Sequence, residues 1–233
     1  MSRGRRLPRS FYLRPTLVVA RDLLGKRLVH IDRGRRLSGW IVEAEAYIGQ
    51  EDLGCHARVG RTERNRSMWG EPGHAYVYFT YGMHWCLNVV TEAAGRPAAV
   101  LLRALVPAEG MATMRRRRAL RLPPRSTRGF GPSRRAKSVQ GLADGPAKLC
   151  QALGIDGRLD GHDLCRPGTH LFIEDAPSVP PRAVARRARV GLDGVPEPWK
   201  SKPWRLLFDP SKLAVTNRVS QRNPVCEGRG GPK

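Results

Sequence analysis

Glu43, Glu45 and Tyr47 alternate along Gly39–Tyr47, a stretch bounded by Gly39 and Gly49 whose composition predicts a strand. Residues two apart on a strand share a face, so Ile41, Glu43, Glu45 and Tyr47 are expected to point the same way. Two carboxylates and a phenol on one side of an apolar strand mark either a solvated face or a reactive one. Arg103 bears on that choice, because it interrupts the apolar run Ala99-Val100-Leu101-Leu102-Arg103-Ala104-Leu105. An unpaired buried charge costs several kcal/mol, so Arg103 is expected to pair with Glu43 or Glu45. A carboxylate held that way has a lowered pKa, stays ionised and can serve as a base. Asn88 stands in a second apolar run, His84-Trp85-Cys86-Leu87-Asn88-Val89-Val90. Its amide must be satisfied by backbone or read the edge of a ligand. His56 follows Gly54-Cys55 with no second histidine at ligand spacing, so no metal site is expected. Phosphate-binding glycine motifs and a nucleophile elbow are absent from the sequence.

These side chains need a scaffold. Thr16–Leu24 reads as a helix stopped by Gly25, and Arg27–Asp32 as a strand. His74–Thr80, His84–Val90 and Ala98–Leu105 read as three more strands, separated by Gly82 and by Gly95-Arg96-Pro97. A basic helix is expected around Met111–Leu120. Another opens at Gly145-Pro146 and ends at Gly154. Closely spaced strands with short turns imply a mainly antiparallel sheet, and the helices before and after it imply the α+β class. At 233 residues and 25.9 kDa a single domain is expected.

Charge narrows the partner. The chain carries 42 Lys+Arg against 20 Asp+Glu, a net +22, which predicts a polyanion. The basic residues are bunched. Eleven lie in Met1–Arg36, ten in Gly110–Ala143 with no acid among them, and Arg182, Arg186, Arg187 and Arg189 form a third group. Runs of this kind normally form a solvated surface. Residues 1–15 are expected to be a flexible basic arm, 16–220 the domain with a mobile Pro/Arg-rich loop at 121–141, and 221–233 a flexible tail. Eight of the fifteen aromatics instead fall between Trp40 and Trp85. An aromatic centre with basic flanks suits a protein that grips phosphates and stacks on bases. Five cysteines, none at CxxC spacing, argue for a reducing intracellular compartment: cytoplasm and nucleoid in a bacterium, nucleus in a eukaryote. No apolar run reaches membrane-spanning length, so no membrane partner is expected.

Five blocks resemble one family. They are Glu43-Ala44-Glu45-Ala46-Tyr47 with His56 and Arg64-Asn65-Arg66-Ser67-Met68; Tyr76–Met83; Cys86-Leu87-Asn88; Leu101–Leu105; and Gly145-Pro146-Ala147-Lys148-Leu149-Cys150. In this order they are similar to the alkyladenine (3-methyladenine) DNA glycosylases, over about residues 20–219. The resemblance implies a single α+β domain with a curved antiparallel sheet, a role in base excision repair, and no cofactor or metal. It implies that Glu45 activates the attacking water with Arg103 beside it. Tyr47, His56 and Tyr78 would wall the base pocket, Tyr81 would be the wedge entering the duplex, and Asn88 would discriminate against the guanine amino group. Lys148 would grip a backbone phosphate at a helix start, and Arg64 and Arg66 belong to the same expected DNA-contacting set. Ala147 stands where serine is common in the family, and 115–141 is unusually rich in Arg and Pro.

The chemistry fits these side chains independently. An alkylated purine is already a good leaving group, so the enzyme needs chiefly a positioned water and a negative charge beside the developing oxocarbenium. The anomeric carbon is out of reach in a stacked duplex, so the nucleotide must be flipped at a cost of a few kcal/mol. Stacking returns about 1–3 kcal/mol per base. No lysine falls in the pocket motifs, so a monofunctional hydrolase without strand cleavage is expected. The expected partner is double-stranded DNA with damaged purines, and the expected state is a monomer. The alternative is a non-catalytic basic nucleic-acid-binding protein on the same fold, which would leave Glu45, Arg103 and Asn88 unexplained.

Overall fold

The computed structural model describes residues 4–119 and 141–209. An eight-stranded, strongly curled antiparallel sheet forms its centre. The strands are β1 (Arg27–Asp32), β2 (Arg35–Ile48), β3 (Ala75–Thr80), β4 (His84–Val90), β5 (Ala98–Glu109), β6 (Leu171–Glu174), β7 (Val184–Arg187) and β8 (Arg205–Phe208). Along the main path they run β3-β4-β5-β2-β1-β6, while β8 pairs with β2 and β7 with β8. Among the described residues the α-helices are α1 (Arg9–Tyr12), α2 (Thr16–Leu23), α3 (Met111–Ala119) and α4 (Pro146–Leu153). The α+β expectation holds.

Local signals explain the helix ends. In α2 the buried Thr16, Val19, Ala20 and Leu23 repeat at i, i+3, i+4 and i+7, one stripe facing the sheet. Gly25, at φ +80°, then turns the chain into β1. In α4 Pro146 takes the first turn, where its missing N–H costs nothing, and Gly154 closes the helix in the left-handed region. Leu149, Cys150, Ala152 and Leu153 are its buried face.

The long strand β2 carries the fold. Its first half pairs with β1, its second half pairs with β8, and its other edge runs along β5. Ile41 lies opposite Leu105, Glu43 opposite Ala104 and Ala44 opposite Leu102. Val42 and Arg103 are thus each one extra residue, a pair of facing bulges that bends both strands. The bulges reverse the alternation. Ile41 belongs to the main core with Ala44, Ala46, Val100, Leu102 and Leu105. The unbroken alternation expected from the sequence is therefore corrected at Ile41. Beyond the bulge Tyr47 packs instead on a smaller cluster formed by Cys55, Ala57, Met68, Tyr76, Val90 and Ala99.

The N-terminal segment also differs from expectation. Residues 4–15 pack on the domain rather than standing off as an arm. The backbone of Arg6 forms an isolated antiparallel β-bridge with that of Glu174, the Leu7 amide donates to the Ile173 carbonyl at 2.9 Å, and Tyr12 is fully buried. Apolar Leu7 and Tyr12 outweigh the arginines around them, and Arg9 finds Asp163 at 2.7 Å. The loop expected at 121–141 (Gly141 apart) and the tail at 221–233 lie outside the described residues.

Candidate active site

Glu45 is fully buried, and its carboxylate accepts three hydrogen bonds. The Val190 amide donates to Oε1 at 2.8 Å. The Tyr47 hydroxyl donates to Oε2 at 3.0 Å, and Arg103 Nη1 to the same oxygen at 3.2 Å. Arg103 also donates through Nε to Glu43 at 2.8 Å, so it pairs with both candidate acids, and Arg205 shares Glu43 from β8 at 2.7 Å. A lowered pKa was expected for a carboxylate held by Arg103. For Glu45 the direction is reversed: burial raises its pKa, outweighing Arg103, the Val190 amide and the Tyr47 hydroxyl, which pull it down. The result is a stronger base than a surface glutamate.

Above this carboxylate lies a cavity of about 310 Å³. Its lining includes Tyr47, His56, Tyr78, Tyr81, Asn88 and Arg103, drawn from four of the five sequence blocks. Glu45 itself sits beneath that surface, touching it through Tyr47, Arg103 and Val190. The His56 ring meets Tyr78 edge-on at 4.5 Å, and its Nδ1 shares a 2.8 Å hydrogen bond with the Tyr76 hydroxyl. Burial, with Arg64 and Arg58 adding repulsion, pushes the His56 pKa down to about 4. The ring is neutral at pH 7, so it offers hydrogen bonding rather than acid assistance. Asn88 Nδ2 donates to the Tyr76 carbonyl at 3.0 Å, which orients its amide at the cavity wall.

Tyr81 stands at the rim, 83% exposed, at the tip of the β3–β4 hairpin. Tyr81 and Gly82 both have positive φ, +51° and +65°, as a tight hairpin turn demands. A tyrosine in that region is strained, and such strain gathers at working sites. Phe79 and Met83 are exposed on the same hairpin.

The expected phosphate contacts are less uniform. Arg64 donates to the Phe79 carbonyl at 3.2 Å and lies over the Tyr78 ring at 5.7 Å, so it braces the hairpin. Arg66 is exposed, paired only with Glu63 on the surface. Lys148 lies on the first turn of α4 and pairs with Asp144 at 2.8 Å. Pro146, at the start of that helix, does line the cavity. A larger concavity, about 460 Å³, lies on the other face of the hairpin against Met83 and Trp85. Its two carboxylates, Asp32 and Asp156, are each tied to an arginine of the same lining, Arg117 and Arg158, and neither is buried as Glu45 is, so it is not where the chemistry belongs.

Two partners went unread in the sequence. By sequence Arg189 belongs with Arg182, Arg186 and Arg187 to a run expected to form a solvated surface. Its side chain is instead wholly buried, donating to both oxygens of an equally buried Asp52, at 2.5 and 2.8 Å. Neither position is marked by its neighbours, and they lie 137 residues apart. Just beyond Arg189, residues Val190, Gly191 and Leu192 form a wall of the cavity.

The five resembling blocks thus converge on one aromatic cavity over one buried carboxylate. A family model described as methylpurine-DNA glycosylase matches residues 10–212. The chain belongs to that family. Its relatives agree. A protein of Methanocella arvoryzae is 46% identical over 213 residues, covering 91% of this chain and 96% of its own. One of Myxococcus xanthus is 46% identical over 200 residues, 86% and 88% of the two chains. One of Carboxydothermus hydrogenoformans is 45% identical over 206 residues, 88% and 96%. All three are provisionally named 3-methyladenine DNA glycosylases. The chain is therefore a DNA glycosylase, a hydrolase of N-glycosyl bonds acting on damaged DNA in base excision repair.

Proposed function

We propose that this glycosylase flips an alkylated or deaminated purine out of duplex DNA into the Tyr47–His56–Tyr78 cavity and cleaves it with a water activated by Glu45. The observation that carries the reading is the buried Glu45 carboxylate beneath an aromatic cavity, with its basicity raised by burial. Three donors occupy the carboxylate in the free chain. A carboxylate offers about four lone-pair positions, so the three donors leave one for the attacking water. Glu45 takes the proton from the water as its oxygen bonds to the anomeric carbon, and the C–N bond electrons leave with the purine. The ionised carboxylate stabilises the oxocarbenium character of that transition state. Arg103, paired with Glu43 and Glu45, holds the carboxylate in place.

Tyr81 fills the gap left in the duplex. Stacking on Tyr47, His56 and Tyr78 offsets extrusion, and a cationic base gains an added cation–π attraction. Asn88 meets the base edge where guanine carries its amino group. Arg66, Lys148 and the basic surface hold phosphates, Lys148 by exchanging Asp144 for one. Arg64 serves chiefly to brace the hairpin. The protein works as a monomer, and the free thiols of Cys55, Cys86, Cys150 and Cys165 suit a reducing compartment. Incubating the enzyme with a duplex containing one hypoxanthine tests the reaction class. Free base and an unbroken abasic strand are expected. Strand scission without alkali, or faster release from the free nucleoside than from the duplex, would overturn it.

A further inference from the structure

We propose that the buried Asp52–Arg189 pair is the positioning device of the site, setting the Val190 amide against Glu45 and the ring of Tyr47 behind the base. The inference rests on Glu45 being the base. Arg189 donates to both Asp52 oxygens, to the Ala46 carbonyl at 3.1 Å and to the Trp199 carbonyl at 3.3 Å. A guanidinium forked onto a carboxylate has one geometry, unlike a lysine ammonium. Desolvating two charges is expensive, and an ion pair at zero exposure is weak evidence for stability as such. Its location gives it another use.

The next residue, Val190, directs its amide to Glu45 Oε1 at 2.8 Å. Fixing Arg189 therefore fixes the donor on the base. Ala46, whose carbonyl Arg189 also grips, lies between Glu45 and Tyr47 on β2. Arg189 lies 4.7 Å from the centre of the Tyr47 ring and 5.1 Å from that of Trp204, buried outside the cavity lining. Lys202 in turn sits between Trp204 and Trp199, at 4.4 and 3.5 Å. Tyr47, Arg189, Trp204, Lys202 and Trp199 thus alternate ring and cation from the cavity wall outward. Asp52 anchors the other side. It accepts from the Ile48 and Gly54 amides at 3.3 and 3.0 Å and so shapes the loop that presents His56. One ion pair joins the segment carrying the Val190 donor to the loop carrying a wall of the cavity.

The test is single-turnover base release with enzyme in excess, measured across pH. The rate constant per bound complex is then independent of any misfolded fraction. Two variants are used, Arg189→Lys, which keeps a cation without the fork, and Asp52→Asn with Arg189→Gln, which leaves no unpaired buried charge. Other groups face Glu45: Arg103 from β5, Tyr47 and Glu43 from β2, Tyr78 and Cys86 from the hairpin, and Arg205 from β8 through Glu43. All of them stay in both variants. A loosened Val190 amide no longer holds the Glu45 pKa down, so the acid limb should move to higher pH. The neutral-pH rate constant should fall by up to roughly 100-fold, the scale of a slight misplacement of reacting groups. Affinity for an abasic-site duplex should be retained. An unchanged rate constant and limb, with only a lower melting temperature, would reduce the pair to a structural tie and overturn the inference. Failure of the underlying reading looks different, since Glu45→Gln would then release base as fast as wild type.

Discussion

The floor of the cavity and the tip of the hairpin beside it are built on opposite terms. Glu45 has no exposure and three donors, and it lies where two facing bulges and a buried ion pair meet. Tyr81 is almost fully exposed and is held through the backbone of a tight turn. The floor must hold one carboxylate in one place against a single attacking water, so several donors fix it. The tip must leave solvent and enter a base stack, so neighbours would only obstruct it. Side chains serving one reaction can therefore differ widely in what removing them costs the fold.

That contrast can be broken by mutation. Arg103→Ala should have the largest effect on stability, on the order of 3 kcal/mol, because it leaves Glu45 buried without its cation. Chemical denaturation measures this, and a loss no larger than at a surface site would show that the buried Glu45 does not depend on that cation. Tyr81→Gly should act the other way. It relieves a strained φ, of order 1 kcal/mol, so stability should be no lower than wild type. Retention of a lesion duplex should nevertheless weaken by about 1–3 kcal/mol, the worth of one stacked ring. A stable variant with undiminished retention would remove Tyr81 from the wedge role.

Acidity sharpens the same contrast. Base release should fall as pH drops through the Glu45 pKa, which burial raises from that of a free glutamate. The sign follows from burial. The fold favours the protonated form of Glu45, so acid costs this residue its activity rather than its contribution to stability. His56, whose pKa burial lowers to about 4, moves the opposite way and does not account for a limb above the free-glutamate value. A limb at or below the value of a free glutamate would contradict the raised basicity. The smallest effect is expected on α3. Arg117 is tied to Asp32, whereas Arg116 is exposed. Arg116→Ala should lower the salt slope of DNA binding by about 0.9 if it meets one phosphate, and Arg117→Ala should cost stability instead. Equal slopes for wild type and Arg116→Ala would show that this turn does not reach DNA.

Legibility in the sequence followed the same division. The bounds of β1, β4 and α4 were readable because glycine, proline or a clean apolar run marks them. Glu45, Arg103 and Asn88 stood out because each breaks a pattern that burial would otherwise keep apolar. The bulges at Val42 and Arg103 leave no such mark, so the sequence does not show that Ile41 faces the main core. The short strands β6, β7 and β8 have four residues each, too few to establish a period, and β7 contains Arg186 and Arg187. Arg189 was missed because it sits among surface arginines, and its partner Asp52 is distant in the chain. The direction of the Glu45 pKa depends on how completely the side chain is covered, which only the fold determines.

The most direct test of Glu45 as the base is single-turnover release from a duplex containing one 3-methyladenine or hypoxanthine, wild type beside Glu45→Gln. Loss of release by roughly 10²–10⁴, with lesion binding retained, is the predicted result. Release by the variant at the wild-type rate, or none by wild type despite tight binding, would contradict it.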